Sequence, residues 1–221
     1  NKDCNSFYGL IGNGQYNCNA CGSYNTISNG YCNTIHNATC YCYNSFAFIG
    51  NGCCNTNLSS AYASILNGIG NCVGTYSGST YSAILGGSYN VAGDYSDAVI
   101  IGGHYNCVCG CGLIGSGNNN CISYGTFNAI VSGCANGVSG GEGSTYGFIG
   151  SGQSNTISGY YNNSILNGND NCTFGSSTTI LNGQYNRIAG CNGFIAGGAN
   201  NCIDYYKRNG FIGVGYNNCI T

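Results

Sequence analysis

Most of the side chains in this sequence that could bind a metal or react are cysteines, and the two histidines lie near some of them. His104 precedes Cys107, Cys109 and Cys111, and imidazole and thiolate are ligands that zinc accepts. Alternation along a strand would place these three cysteines on one side. Disulfide bonds explain the same spacing without a metal, so we expect no metal site. A second group of the same ligand types comprises His36, Cys40 and Cys42.

The acidic residues are too scattered to form a catalytic pair. Cleavage of a polysaccharide needs two convergent carboxylates, and only Asp94 and Asp97 are close in sequence, in a predicted turn. With two histidines in the chain, a Ser-His-Asp site is not expected. The Cys18-x-x-Cys21 pair lacks the βαβ context of a redox motif. We therefore predict no enzyme activity and no cofactor. The acidic residues are Asp3, Asp94, Asp97, Glu142, Asp170 and Asp204.

The composition differs from that of an ordinary globular domain. Of 221 residues, 40 are Gly, 20 are Tyr and 18 are Cys, while Pro, Met and Trp are absent and charged residues make up 5%. Binding to nucleic acid or to acidic membranes needs clustered Lys and Arg, so neither is expected. No apolar run approaches the roughly 18 residues of a membrane helix. The absence of Met indicates a processed product or a piece of a longer chain, and the cysteines indicate the cell exterior or a virion surface.

One pattern, Ile-x-x-Gly-x-x-Asn, returns thirteen times along the chain. The spacing between successive glycines runs from 14 to 22 residues and is most often about 16. The glycines are Gly14, Gly30, Gly52, Gly68, Gly87, Gly103, Gly117, Gly133, Gly152, Gly168, Gly183, Gly198 and Gly215. Examples of the flanking residues are Ile11 and Asn17, Ile49 and Asn55, Ile84 and Asn90, Ile149 and Asn155, and Ile212 and Asn218.

This repeat predicts an all-β fold. Gly, Asn, Ser, Thr and Tyr are poor helix formers or turn formers, and no apolar positions recur at helical spacing. About 16 residues hold two short strands and two turns, so we predict a parallel β-solenoid, or β-roll, of about 13 coils. It would form a single domain over residues 1–221. Gly supplies a positive φ at the turn, and the Asn and Ile side chains form ladders through successive coils. Val or Ile recurs five residues after most of the glycines, which predicts the second strand.

The residues on either side of each Ile trade size against each other. Phe48 goes with Gly50, whereas Ser64 goes with Leu66, and most coils follow one order or the other. Such compensation is typical of a packed surface, so we expect this strand to be buried on both faces. Either another chain, most simply in a trimer about an axis, or the opposite wall of a wider coil built from two repeats would cover it.

The run SAILGGSYNVAGDYSDAVIIGGHYN, residues 82–106, is similar to the head repeats of trimeric autotransporter adhesins. It also resembles the Gly-Gly-x-x-Asn-x-Ile repeats of fibre-like proteins of phages and giant viruses. The resemblance covers most of the chain and implies a left-handed parallel β-roll, often trimeric, used for display or adhesion. Asn stands where the adhesins usually carry a small residue, and the coils here are longer and richer in cysteine.

Neither end of the sequence contains an atypical polar cap of the kind that closes most solenoids. Joining the last glycine to the first across the ends gives 20 residues, which lies inside the observed range. We therefore expect subunits to stack end to end into a fibre.

Seven cysteines share one position, four residues after the glycine. Neighbouring coils lie about 4.8 Å apart, which is within the Cα separation of a disulfide. Cys107 with Cys121, and Cys202 with Cys219, are candidate links between coils, and a row of buried thiols is the alternative. Cys4 is a candidate for a bond between subunits. The seven are Cys18, Cys72, Cys107, Cys121, Cys172, Cys202 and Cys219.

Two functional classes remain for such a chain. The first is a structural protein, a fibre or surface-display solenoid whose partners are copies of itself and whose Tyr-rich and Asn-rich turns contact glycans or a host surface. A carbohydrate-binding head that does not polymerise is a variant of it. The second is an ice-binding solenoid, which needs a flat row of Thr. The threonines concerned are Thr26, Thr34, Thr56, Thr156 and Thr173, and they form no continuous row in the sequence.

Overall fold

A computed structural model describes residues 1–36, 46–58, 61–74, 81–93, 97–140 and 146–221. The chain is all-β, and its parallel sheets stack as a β-solenoid of about 12 turns with about 16 residues per turn. The prediction of a parallel β-solenoid is confirmed. Thirteen copies of the motif delimit twelve turns because each turn runs from one copy to the next. No helix long and apolar enough to cross a membrane occurs among the described residues.

The turns fall into two compact units, residues 1–111 and 112–221. In both units, strands with odd numbers form sheet 1 and strands with even numbers form sheet 2.

In unit 1, consecutive strands of each sheet pair in parallel. Sheet 1 contains β1 (Lys2–Phe7), β3 (Cys18–Ser23), β5 (Thr34–His36), β7 (Thr56–Leu58), β9 (Cys72–Val73), β11 (Val91–Ala92) and β13 (Cys107–Val108). Sheet 2 contains β2 (Leu10–Ile11), β4 (Thr26–Ile27), β6 (Phe48–Ile49), β8 (Ser64–Ile65), β10 (Ala83–Ile84) and β12 (Ala98–Ile100).

Unit 2 repeats this arrangement. Sheet 1 contains β15 (Cys121–Tyr124), β17 (Gly137–Ser139), β19 (Thr156–Ile157), β21 (Cys172–Thr173), β23 (Arg187–Ile188), β25 (Cys202–Ile203) and β27 (Cys219–Ile220). Sheet 2 contains β14 (Gly112–Ile114), β16 (Asn128–Ile130), β18 (Phe148–Ile149), β20 (Ser164–Ile165), β22 (Thr179–Ile180), β24 (Phe194–Ile195) and β26 (Phe211–Ile212).

The core of each unit lies between its two sheets. The motif isoleucines, such as Ile49, Ile84 and Ile149, are fully buried and stack on one another in register along sheet 2. Sheet 1 contributes a facing row of mainly Ile and Val, among them Ile122 and Val138. Alternation along each short strand points the neighbouring residues outward.

The wider coil built from two repeats is wrong. Strand β4 pairs with β6, and β6 pairs with β8, so each repeat forms hydrogen bonds with the very next one. A coil of two repeats would instead pair each strand with the second repeat along. One repeat of about 16 residues closes a turn, since two strands and two corners use up that length.

Candidate functional site

The corner between sheet 2 and sheet 1 is built from the motif glycine and asparagine. From Gly14 to Gly198, the motif glycines have φ between +90° and +121°, a region that side chains disfavour. A β-carbon on Gly152 would lie 2.1 Å from the carbonyl oxygen of Gly168 in the next turn. Glycine is therefore required both by the backbone conformation and by the close approach of the next turn.

The asparagine three residues later is buried and links three turns. The backbone N and Nδ2 of Asn155 donate to Oδ1 of Asn136 in the preceding turn, at 3.0 and 3.1 Å. Nδ2 also donates to the carbonyl of Gly168 in the following turn, at 2.8 Å. Oδ1 of Asn155 accepts two bonds from Asn171. Within each unit the same pattern recurs from turn to turn, so every turn presents matching donors and acceptors to its neighbours.

Asn1 belongs to this ladder, although it lies outside the thirteen copies of the motif. Its Oδ1 accepts from the backbone N of Asn17 at 3.2 Å, and its Nδ2 donates to the carbonyl of Gly14 at 3.1 Å. These are the contacts that Asn17 makes in turn with Asn33 and Gly30. Asn1 was missed because no Gly or Ile precedes it, and its place one turn before Asn17 was the signal available.

The outer side of sheet 2 bears a row of large apolar side chains. These side chains stand either four or two residues before the motif glycine, and they are 36% to 67% exposed within the chain. No residue at either of these two positions is charged in any copy of the motif. We call this set the outer apolar face. Its members are Leu10, Phe48, Leu66, Leu85 and Ile101 in unit 1, and Leu113, Val131, Phe148, Leu166 and Phe211 in unit 2.

Size compensation on this face has a partial explanation within the turn. A β-carbon on Gly50 would lie 3.2 Å from the ring of Phe48 and 2.5 Å from the carbonyl oxygen of Leu66. The large ring thus lies over the small residue two positions on. The sequence also predicted that a second surface covers this face. The described residues of this chain do not provide one.

The opposite corner carries a row of aromatic residues that was not predicted from the sequence. Six residues before the motif glycine, five rings from consecutive turns of unit 1 stack with centroids 5.0–5.1 Å apart and planes within 19° of parallel. The signal in the sequence was an aromatic residue two positions before the sheet 2 strand, but only seven of the thirteen motif copies carry one there. We call it the aromatic ladder. It consists of Tyr8, Tyr24, Phe46, Tyr62 and Tyr81.

The seven cysteines that share one motif position occupy the outer row of sheet 1, and no disulfide is seen among the described residues. Cys202 and Cys219 are register partners on consecutive turns. Cys107 lies in unit 1 and Cys121 in unit 2, so their pairing stays a prediction, as does an intersubunit bond from Cys4. The remaining three have other residues beside them. Cys18 lies between Lys2 and Thr34, Cys72 between Thr56 and Val91, and Cys172 between Thr156 and Arg187.

Arg187 lies in this row between two thiols. Its guanidinium lies over the rings of Phe174 and Tyr205, at 5.4 and 5.3 Å, and Nη1 is 4.0 Å from Sγ of Cys202. Burial raises the pKa of the Cys172 and Cys202 thiols above the ordinary value, and the charge of Arg187 opposes part of that effect. Both thiols are therefore held protonated to higher pH than a free cysteine.

Two of the other candidate zinc ligands lie close together, but no group of three forms among the described residues. His104 Nδ1 lies 2.5 Å from Ser88 Oγ, and the ring contacts Tyr105. Sγ of Cys107 lies 3.3 Å from Sγ of Cys109. In the part of the chain that the structure describes, no three His, Cys, Asp or Glu side chains could hold a metal ion. Cys40, Cys42, Asp94 and Glu142 lie outside the described residues.

The threonines occupy three different positions of the turn. Thr34, Thr56 and Thr156 lie on the outer row of sheet 1, Thr26 lies on the outer side of sheet 2, and Thr173 is fully buried in the core. Only Thr34 and Thr56 are consecutive, and Cys18 and Cys72 flank them in the row.

Compared with models of known protein families and with curated protein sequences, the chain gives no match.

Proposed function

We propose that this chain is a structural protein whose copies stack end to end into a stiff fibre outside the cell or on the surface of a virion. Display or adhesion through the exposed turns would accompany that role. The chain's partners in this proposal are copies of itself. Its low charge and eighteen cysteines support the location.

The observation that carries the proposal is the asparagine ladder, in which each turn provides a template for the next. Asn1 already makes the contacts of a ladder residue with the turn that follows it. Asn218 donates to Asn201 Oδ1 in the same way at the other terminal turn. In the proposed stack, Asn1 of one copy would lie on Asn218 of another and extend the hydrogen bonds across the junction. Strands β1 and β27 would pair in the same parallel register as the strands inside each unit.

The outer apolar face supports association of copies side by side. Its exposed Leu and Phe side chains alternate in position with Gly, Ser and Ala, so one such face offers both protrusions and gaps. A second copy has the same spacing between turns, about 4.8 Å, and would meet this periodic surface in register. We propose that a few copies, most simply three about an axis, cover this face in the fibre.

Negative-stain microscopy of the native chain, with and without reductant, tests the proposal. Fibres many subunits long are expected, and Ile220→Lys should leave separate particles because a charge on an edge strand blocks pairing. The matched control is Val214→Lys, at a 79% exposed position of the same turn. Fibres that fray on reduction would add disulfides at the junction. Separate particles from the unaltered chain under all conditions would contradict end-to-end stacking.

Side-by-side association is tested separately, by the molecular mass in solution of the Ile220→Lys chain. We expect an oligomer that Leu166→Lys dissociates. Ser164→Leu distinguishes complementary packing from non-specific hydrophobic association, because it fills a gap beside Leu166. It should weaken an interface that depends on complementary shape and strengthen one that depends only on apolar area. A monomer before either change would overturn this part of the proposal and leave end-to-end stacking standing.

A further inference from the structure

Three pairs of exposed tyrosines in unit 1 are held face to face between neighbouring turns. Their ring planes lie within 17° of parallel, and the side chains are 45% to 76% exposed. The pairs are Tyr8–Tyr24, Tyr62–Tyr81 and Tyr89–Tyr105, with ring centroids 5.0, 5.1 and 5.2 Å apart.

The backbone fixes these rings in place. All six tyrosines have φ between +53° and +59°, a conformation that bulky side chains rarely adopt. Interturn bonds anchor the corners: the backbone N of Tyr81 donates to the carbonyl of Ala61, and that of Tyr105 donates to the carbonyl of Ser88. The separation of each ring pair is therefore set by the spacing between turns, while the phenol edges stay open to solvent.

We propose that these pairs are sites of oxidative tyrosine cross-linking by a peroxidase and hydrogen peroxide. Each phenol gives up one hydrogen atom to the oxidant, which leaves two phenoxyl radicals on neighbouring turns. The radicals join through a carbon–carbon bond between ring positions ortho to oxygen, and each ring then moves its displaced hydrogen to oxygen and becomes a phenol again. The chain loses two hydrogen atoms per link, and one hydrogen peroxide becomes two water molecules.

Geometry makes these pairs the favoured partners. Two radicals held at stacking distance combine within one molecule, so the step does not wait for a collision between chains. Tyr206 is 97% exposed but takes part in none of the stacked pairs described, so it would react only between chains. Each link would join residues 16 or 19 positions apart and fasten one turn to the next, independently of whether copies stack into fibres.

The test is peroxidase treatment of the full native chain at micromolar concentration, followed by mass spectrometry of linked peptides and measurement of dityrosine fluorescence. We expect intrachain links within the three stacked pairs, with yields that do not change on dilution. Tyr81→Phe should remove the Tyr62–Tyr81 peptide and leave the other two at full yield. Because phenylalanine keeps the ring, this change preserves the stack.

A substitution that creates a new stacked tyrosine pair provides the matched control. Phe127 and Tyr146 stack in unit 2 with centroids 5.4 Å apart and planes 8° from parallel, but one of the two rings has no hydroxyl. Phe127→Tyr should add a linked peptide between positions 127 and 146. Tyr185→Phe, at an exposed tyrosine outside these pairs, should change none of the links.

Several results would overturn the proposal. One is a set of links that follows exposure, with Tyr206 foremost, or a yield that falls in proportion to protein concentration. Another is an unchanged pattern of links in urea, where the turns no longer hold the rings together. Failure of Phe127→Tyr to add a link, in a chain whose circular dichroism is unaltered, would show that stacking does not direct the coupling.

Discussion

Gly87 and Gly86 stand side by side at one corner and differ in what a β-carbon would meet. On Gly87, with φ +90°, it would lie 2.2 Å from the carbonyl oxygen of Gly103, whereas on Gly86 nothing lies within 4 Å. We expect Gly87→Ala to lower the free energy of unfolding by more than about 2 kcal/mol through strain and backbone displacement. Gly86→Ala should be nearly neutral. Urea denaturation measures both, and equal losses would refute the packing argument.

Thr173 occupies a core position that its neighbours along sheet 1, Ile157 and Ile188, fill with apolar side chains. The residue is fully buried, and its Oγ1 has no hydrogen-bond partner. Replacing the hydroxyl by a methyl removes an uncompensated polar group, so Thr173→Val should raise the unfolding free energy by about 1 kcal/mol. Thr179→Val, on the outer side of sheet 2, should have little effect. A destabilised Thr173→Val chain would mean that the hydroxyl is satisfied.

The thiols of Cys172 and Cys202 should ionise at a higher pH than ordinary cysteine thiols. Burial raises the pKa of each, so the midpoint of alkylation rate against pH should lie above that of the urea-unfolded chain. Since the unfolded chain releases these protons at lower pH, the unfolding free energy should fall as the pH rises above the ordinary thiol value. Peptide-resolved alkylation measures the midpoints. Removing the positive charge with Arg187→Gln should move them higher still, and a downward movement would contradict the assignment.

At the scale of the element, the asparagine ladder joins turns that are distant in sequence. Asn155 takes part in hydrogen bonds to three other turn residues, Asn136, Gly168 and Asn171. A buried group left unsatisfied costs roughly 1–3 kcal/mol, and Asn155→Ala leaves several. We expect a loss of at least about 3 kcal/mol in urea denaturation. Asn167→Ala, at an exposed position of the following turn, should cost far less, and comparable losses would mean that the ladder contributes little.

At the scale of the whole molecule, stability should depend little on ionic strength. The chain contains four basic and six acidic residues out of 221, so ion pairs have few sites at which to act. Between low and 1 M sodium chloride we expect the unfolding free energy to change by less than about 0.5 kcal/mol. Ammonium sulfate should raise it, since it strengthens apolar burial. A large effect of sodium chloride would indicate charge interactions that the described residues do not contain.

The sequence by itself determined the repeat, the parallel solenoid and the roles of its main positions. Gly87 and Asn90 could be recognised because a tight corner accepts few residue types, and the same constraint returns in every turn. Ile84 could be placed in the core because its apolar character recurs at one position of the motif. These requirements are local, and each of them recurs in the sequence at every copy of the repeat.

Only the tertiary structure decided which side chains meet across turns. Tyr62 and Tyr81 stand at the same position before their motif glycines, but the stacking of their rings depends on the conformation of the corner. Asn1 lies outside the thirteen copies of the motif, so its place in the ladder is seen only in the structure. The structure also decided that one repeat closes one turn. Composition does not determine whether β4 pairs with the strand of the next repeat, β6, or with that of the repeat after it. Register between strands depends on how the corners fold, and that geometry arises only when the turns stack.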